Sequence, residues 1–458
     1  MNIEKIDQKH PHYDMYREHR RTGQLLEGGT VAMRKNRNET LPKEPREKGD
    51  NYQARVNRSV LLEAYTDTLS QMSLKPLTQS VKFTLDTLPD DWEWLQNDID
   101  GSGSDVDTKA LSAIRGRLSN GPWLALLDMP STTDEDGRQL SDVELRQQGR
   151  HPYVSEIHPD SLINWEYGDD GKFVMIRIKY TSMETVEGEV TEVEYIKEWT
   201  TAEINLYRKA KDDEGKETWQ LVKDKSGPNQ IGVVPLAVCG ELDDRPILEG
   251  LAHLNMSHFR KKSDLDNIIH LSCVPILHMA GFEKGDFSEK EISVSNAFVS
   301  SEKDSVIKWV EVQGTAIEQA RHDIERTEAQ MSVYGFEIVS EKQVQKTATE
   351  TVKDDSDDTS VLQAVCTSVE NTFDEIMEFA SMYTGKPVPD DLRIQIFKDF
   401  NISYQVYQKI RALLDLRVAG EISRPTFHKE LDRLKFLGDH YDPETEAGLI
   451  DDNPEVEV

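Results

Sequence analysis

Residues 316–385 constrain the fold more than any other stretch, because they spell a helix, a polar loop and a second helix. In the first helix Ile317, Ala320, Ile324, Thr327, Met331, Tyr334 and Ile338 recur in steps of three and four, with Glu318, Arg321, Asp323, Glu325, Arg326 and Glu328 outside the seam. In the second, Leu362, Val365, Val369, Thr372, Ile376, Phe379 and Tyr383 do the same, and Gly385 with Pro387 ends the run. Such spacing gives each helix one apolar stripe, and glycine followed by proline is a helix stop. Each helix would be roughly 30–40 Å long at the α-helical rise. The segment Ser340–Thr359 between them is polar, with Lys342 and Lys346 early and Asp354, Asp355, Asp357 and Asp358 late. Thr347 spells a helix cap with Glu350 three residues on, so flexibility is expected to end near there. The seams look too continuous for one small core. Ile317, Ile324, Met331, Leu362, Val369 and Ile376 are therefore expected to pack between subunits as well.

A chain of 458 residues exceeds one usual core, so two or three domains are expected. The formal net charge is −31, which argues against coating DNA through general attraction. Cys239, Cys273 and Cys366 lie far apart with no CxxC, and read as reduced, buried thiols in a cytosolic protein. Without a signal peptide or an apolar run near 18 residues, no membrane span is expected.

Residues 1–50 carry 11 Lys/Arg against 9 Asp/Glu, so this arm is near neutral inside an acidic chain. It holds a helical patch to about Leu26 and is expected to dock on a neighbour or to be a loosely attached terminus. Residues 51–75 read as one helix stopped by Pro76. Shorter helices are expected at 91–99 and 105–118, with the loop Asp100-Gly-Ser-Gly-Ser104 between them. That loop has no GK[ST], so it reads as a linker rather than a phosphate cradle. The unbroken apolar run at 123–127 suggests a buried strand. Residues 151–239 alternate and are punctuated by turns at 168–171, 187–188 and 214–215, the pattern of an antiparallel meander or a small mixed sheet. Helix returns at 246–271, and 274–312 reads as short strands and turns. Two compact helices follow Gly385, one capped by Ser403 with Val406, Ile410, Leu413 and Leu414 inside, the other by Ser423 with Phe427, Leu431 and Leu434 inside. The last twenty residues hold eight acids and no Lys or Arg, and read as a solvated tail.

Catalytic signatures are absent from the pattern. His253 and His258 do not share a helix face, His270 and His278 flank a proline turn, and there is no HExxH. No GxSxG, Walker A or kinase set appears, and no carboxylate pair stands out in so acidic a chain. The expectation is a non-enzyme with no catalytic residues, metal or cofactor. The alternative is a monomeric metal-dependent hydrolase or nuclease with an unrecognised acidic site.

The order of several short motifs resembles the portal proteins of tailed bacteriophages, and in particular a portal-like family first catalogued as a domain of unknown function, DUF4055. These are His10-Pro-His-Tyr13 with Leu41-Pro42, then Tyr52 with Arg55 and Arg58. Gly121-Pro-Trp-Leu-Ala-Leu-Leu-Asp-Met-Pro130 and His151-Pro152 follow. Next come Leu254-Asn255 through Ser263-Asp264-Leu265 to Pro275, and Thr347-Ala-Thr-Glu350 with Ser360 and Leu362. Gly420-Glu-Ile-Ser-Arg-Pro-Thr-Phe427 with Glu430-Leu431 closes the series. The acidic loop end at Asp354–Asp358 departs from the family pattern.

The resemblance implies an α+β portal fold. Its parts would be an N-terminal arm (1–50), an α/β wing (51–245), a stem helix (246–272) and a small β-containing clip (273–315). A second stem helix (316–338), a tunnel loop (339–357), a long wing helix (358–386) and a helical crown with acidic tail (387–458) would follow. It implies a homo-oligomeric ring of twelve subunits at one capsid vertex of a virion, assembled in the host cytoplasm. Double-stranded DNA would pass through without its sequence being read, during packaging by the terminase large subunit and during ejection. The ring would also meet a head–tail adaptor and the major capsid protein. On this likeness Lys342, Gln343, Gln345 and Lys346 would face DNA in the tunnel loop, unless that loop is merely solvated. Glu283, Lys284, Asp286, Lys303 and Asp304 in the clip would meet terminase and then the adaptor, unless the clip serves only between subunits.

Overall fold

The apolar run at 123–127 is continuous because both of its faces are buried, each in a different core. The structure, a computed structural model, describes residues 5–134, 136, 138–186, 189–211, 216–272, 276–280, 306–310, 314–332, 348–398 and 404–433. Five helices open the chain: α1 (Tyr13–Glu27), α2 (Gly29–Lys35), α3 (Arg37–Thr40), α4 (Gly49–Arg58) and α5 (Ala64–Leu74). Then come β1 (Lys82–Phe83), α6 (Trp94–Asn97), α7 (Val106–Ser119), β2 (Trp123–Asp128), α8 (Asp142–Gln147) and β3 (Tyr153–Ile157). A meander follows: β4 (Leu162–Tyr167), β5 (Phe173–Val186), β6 (Glu189–Thr200), β7 (Glu203–Lys211), β8 (Glu217–Leu221) and the short β9 (Gly227–Pro228) beside β7. The chain continues through β10 (Leu236–Cys239), α9 (Glu249–Ser272), β11 (Ile276–Ala280), β12 (Val306–Val310), α10 (Gly314–Ser332) and α11 (Ala348–Thr384). It ends in β13 (Ile394–Gln395), α12 (Tyr404–Val418) and α13 (Arg424–Arg433).

This is a mixed helix-and-sheet chain, in line with the α+β class. Strand β2 is the middle of a three-stranded antiparallel sheet in the order β10-β2-β3. Side chains alternate across a strand. Trp123, Ala125 and Leu127 therefore enter the largest core, among α5, α7, α9 and α11, while Leu124 and Leu126 enter a second core with Trp165, Ile176, Ile178 and Trp199 of the meander. Helix α11 presents Leu362, Val365, Val369, Phe373, Ile376 and Ala380 to the first core, and Phe373 meets Trp123 with ring centroids 6.3 Å apart.

Four expectations are corrected. Residues 51–75 are not one helix: Ser59 leaves α4 in an extended conformation, and α5 starts only at Ala64. The break is held from outside, since Ser59 accepts from Arg34 through its carbonyl and Tyr65 N–H donates to Asn255. The N-terminal arm is no loose terminus over its described part. Leu25, Leu26, Met33 and Leu41 are buried in the main core, and α1 lies against α9. The loop expected to run to 357 gives way to helix at Ala348, one residue after the Thr347 cap spelling. In α12, Leu414 is exposed rather than interior, as are Leu416 and Val418. Cys239 and Cys366 are buried free thiols, and burial pushes the Cys366 thiol up to about 12. Cys273, the caps at Ser403 and Thr347, and Leu434 lie outside the described residues.

The loop at 100–104 folds around its own anion. Asp100 accepts from the backbone N–H groups of Ser102 and Ser104 and pairs with Lys109 at 2.9 Å. Partial burial works against its charge, but bonds to Ser104, Lys109 and Ser102 prevail and hold its carboxyl well below the usual range. The N–H groups of Ser102 and Ser104 are thus already taken by a carboxylate of the loop itself.

Gly121, at the turn from α7 into β2, has φ +87, and a Cβ there would overlap the Asp244 carbonyl. Gly103 has the same φ with nothing near its missing side chain. Gly121→Ala should lower stability by about 3–5 kcal/mol and Gly103→Ala by about 1–2 kcal/mol in urea melts, the difference being the steric part. Equal losses would show that the contact with Asp244 is not rigid.

Candidate functional site

Helices α9 and α10 run antiparallel as a pair. His258 Nε2 meets Glu328 at 3.2 Å, and Lys261 Nζ meets Asp323 at 2.8 Å and the Thr327 hydroxyl at 3.0 Å. Strands β11 and β12 keep the same register, from Ile276 opposite Val310 to Ala280 opposite Val306. The chain thus goes out along α9 and β11 and returns along β12 and α10. With 24 and 19 residues, the two helices are roughly 36 and 28 Å long.

The base of this hairpin is tied to the first 65 residues by polar contacts, some buried and some at the surface. Asn255 is fully buried; its amide accepts from Tyr65 N–H at 3.0 Å and donates to the Leu62 carbonyl at 2.9 Å. Ser263 and Ser59 share a hydrogen bond of 2.7 Å. Arg55 pairs with Glu47 at 2.9 Å and reaches Asp264 at 3.6 Å. Arg260 donates to the carbonyls of Thr40 and Glu39, and Arg58 to Asn267. Glu249, at the start of α9, holds His19 at 2.8 Å and Arg245. Burial pushes the Glu249 carboxyl up, but His19 and Arg245 outweigh it and hold it below its ordinary value. The Arg55 hydrogen bond does the same for Glu47.

Several residues that carried the resemblance sit at contacts between distant segments. His10 stacks on Trp165 at 3.9 Å between centroids, Tyr13 donates to the Asp160 carbonyl, and His151 stacks on Trp94 and meets Asp98 at 3.2 Å. Sequence reasoning missed Arg20, a buried cation held by Asp160 at 3.1 Å and by the Asn120 carbonyl. Its partners lie 100 and 140 residues away, and no local pattern announces them.

The expected site residues fare differently. Lys342, Gln343, Gln345 and Lys346 lie outside the described residues, as do Glu283, Lys284, Asp286, Lys303 and Asp304. Most of the residues expected at subunit interfaces lie in the core of the single chain. Met331, Val369 and Ile376 are fully buried within one chain, and Leu362 and Ile324 nearly so. Side chains already covered offer a neighbour nothing. Ile317 is half-buried and keeps some surface.

A cavity of about 420 Å³ opens between the C-terminal end of α11 and residues 90–98 and 129–152. Its charged walls are internally paired, Arg146 with Asp90 at 3.2 Å and His151 with Asp98. Among the described residues no group of three or more His, Cys, Asp and Glu could hold a metal ion, and no helix is long and apolar enough to cross a membrane.

Residues 247–384 match the family model described as a domain of unknown function, DUF4055. The curated proteins give no match. Among solved structures, the chain is similar to one described as the neck of an empty GTA particle computed with C6 symmetry. The identity is 9%, the match covers 79% of this chain and 88% of that one, and the TM-score is 0.39.

His258 gives this region a pH dependence. Burial pushes its imidazole below the ordinary value, Lys261 and Lys262 add to that, and Glu328 opposes it. Below the ordinary histidine value the unfolded chain then holds more protons than the folded one, so stability rises with pH through that window. His258→Gln should flatten the dependence of the urea midpoint between pH 5 and 7 relative to the unaltered chain. An unchanged slope would remove His258 as its source.

Proposed function

We propose that this chain is the subunit of a ring that passes double-stranded DNA: a portal protein of a tailed bacteriophage. The observation that carries the reading is the order of parts around α9 and α10. A mixed helix-and-sheet body leads into a helix, a β-hairpin pair returns the chain along a second, antiparallel helix, and a 37-residue helix re-enters the main core. The motif series given above follows that order. In this reading α9 and α10 are the stem, β11 and β12 belong to the clip that meets the terminase large subunit and later the adaptor, and α11 is the long wing helix.

Twelve such chains would close around a channel at one capsid vertex. The net charge of −31 per chain suits passage, because a duplex repelled by the wall slides rather than sticks. The segment between α10 and α11 would line the narrowest part, with Lys342 and Lys346 supplying weak, screened phosphate contacts that guide without reading bases. The exposed Leu414 and Val418 of α12 fit a crown covered by neighbouring copies.

End-on particle images and a native mass test the reading. A ring of roughly twelve 52.3 kDa chains supports it, and a monomer at every concentration overturns it. In the assembled ring, Lys342→Ala with Lys346→Ala should leave assembly normal and alter DNA retention or packaging yield. A structure placing both lysines on the outer surface would remove them from the channel.

A further inference from the structure

Two exposed apolar surfaces on this chain complement each other. The first is the far end of the β5–β6 hairpin. Strand β4 accompanies β5 only to Ile178, and β7 accompanies β6 only as far as Tyr195. From Thr181 to Val186, paired with Glu194 to Glu189, the backbone ladder runs beyond both neighbours as a two-stranded ribbon, roughly 17 Å long, with Val193 and Glu194 at its root still packed against Leu206 and Lys209 of β7. A ribbon without a third strand is marginal in water. This one also exposes Met183 (70%) and Val190 (72%) on one face, with Glu192 directly across from Met183. Ser182–Glu194 holds five glutamates and no Lys or Arg; Glu184 pairs with Arg208 and Glu194 with Lys179 and Lys209, which leaves three further glutamates to make the tip acidic.

The second surface is where α2 meets the break after α4. The Thr30 hydroxyl accepts from Leu61 N–H at 3.1 Å, and Arg34 donates to the Ser59 carbonyl at 2.9 Å. Beside these contacts Val31 (79%) and Val60 (60%) are exposed, with Leu62 next to them. Lys35 and Arg58 are exposed on the same elements, and Glu63 is the one acid immediately beside Leu62.

One surface is an acidic apolar tip and the other an apolar patch bearing cations. They lie toward opposite ends of α1. Tyr13 packs with Ile163, Ile196 and Tyr207 of the meander, and α2 follows the last turn, roughly 22 Å along the 15-residue helix. Since both stay exposed, neither covers the other within one chain. We propose that the β5–β6 ribbon of one copy seats on the Val31–Val60 patch of the next. The contact is heterologous, the kind that closes rings, and it rests on the ring reading above. It supplies cohesion that the buried seams of α10 and α11 cannot.

The test uses the full chain. Glu192→Lys or Lys35→Glu should raise the concentration at half-assembly by about tenfold, and the two together should restore much of the loss. Met183→Cys with Val60→Cys should give covalent oligomers under mild oxidation, and neither single variant should. All positions are exposed, so melting temperatures should hold. A chain that stays monomeric when unaltered overturns both the ring and this contact. Rings that assemble unchanged in the charge variants, with no cross-link in the cysteine pair, overturn this contact alone.

Discussion

The burial of one face of α11 against β2, β10 and α7 is the constraint on which the rest depends. Val369, Phe373 and Ile376 are wholly covered inside one chain, and Trp123 and Cys239 close over them from the sheet. Burying a large aliphatic or aromatic side chain contributes about 1.5–3 kcal/mol, so the five such positions on this stripe, Leu362, Val365, Val369, Phe373 and Ile376, are a major share of the folding energy. That stripe is therefore committed to the protomer. Any ring these chains form must be held by surfaces that remain exposed in one copy.

Polar contacts set how the hairpin of α9 and α10 leaves the body. A buried amide without partners costs about 1–3 kcal/mol, and Asn255 escapes that cost only while Leu62 and Tyr65 stay where the α4–α5 break puts them. Ser263 with Ser59, and Arg260 with the carbonyls of Glu39 and Thr40, repeat the arrangement along α9. Apolar burial alone would let a helix slide or rotate, since it has no direction. Hydrogen bonds at several levels along α9 fix its register against the N-terminal segment.

How much of this was legible depends on where each signal lies. Long seams announced α10 and α11, a looser apolar spacing announced α9, and alternation announced the meander from β4 to β8, because those signals are local. The break at Ser59 was invisible because Asn255 and Ser263, which hold it, sit about two hundred residues on. The start of α11 ran ahead of the expected boundary. Polar residues such as Ser and Asp are weak helix formers, yet a helix anchored by buried side chains from Leu362 onward can extend through them. What the seams pack against was legible only in part. Periodicity says that a face is buried but never against what, and for Val369 or Met331 the answer was the same chain. The residues proposed to face DNA and terminase rested on the resemblance alone, and no physical rule in the sequence selects them.

Charge then decides which contacts between copies can work. Each chain carries −31, so copies repel, and at physiological salt that repulsion fades beyond about 8 Å. Within that range only local pairing matters. A surface that placed glutamates against glutamates would add like-charge repulsion to the loss of conformational freedom on association. The described N-terminal helices, unlike most of the chain, gather cations at Arg34, Lys35, Arg37 and Arg58. Near neutrality in that arm, inside so acidic a protein, makes it the stretch on which an acidic neighbour can rest with least repulsion. The same imbalance leaves most of the remaining chain acidic, in keeping with the proposed passage of a duplex.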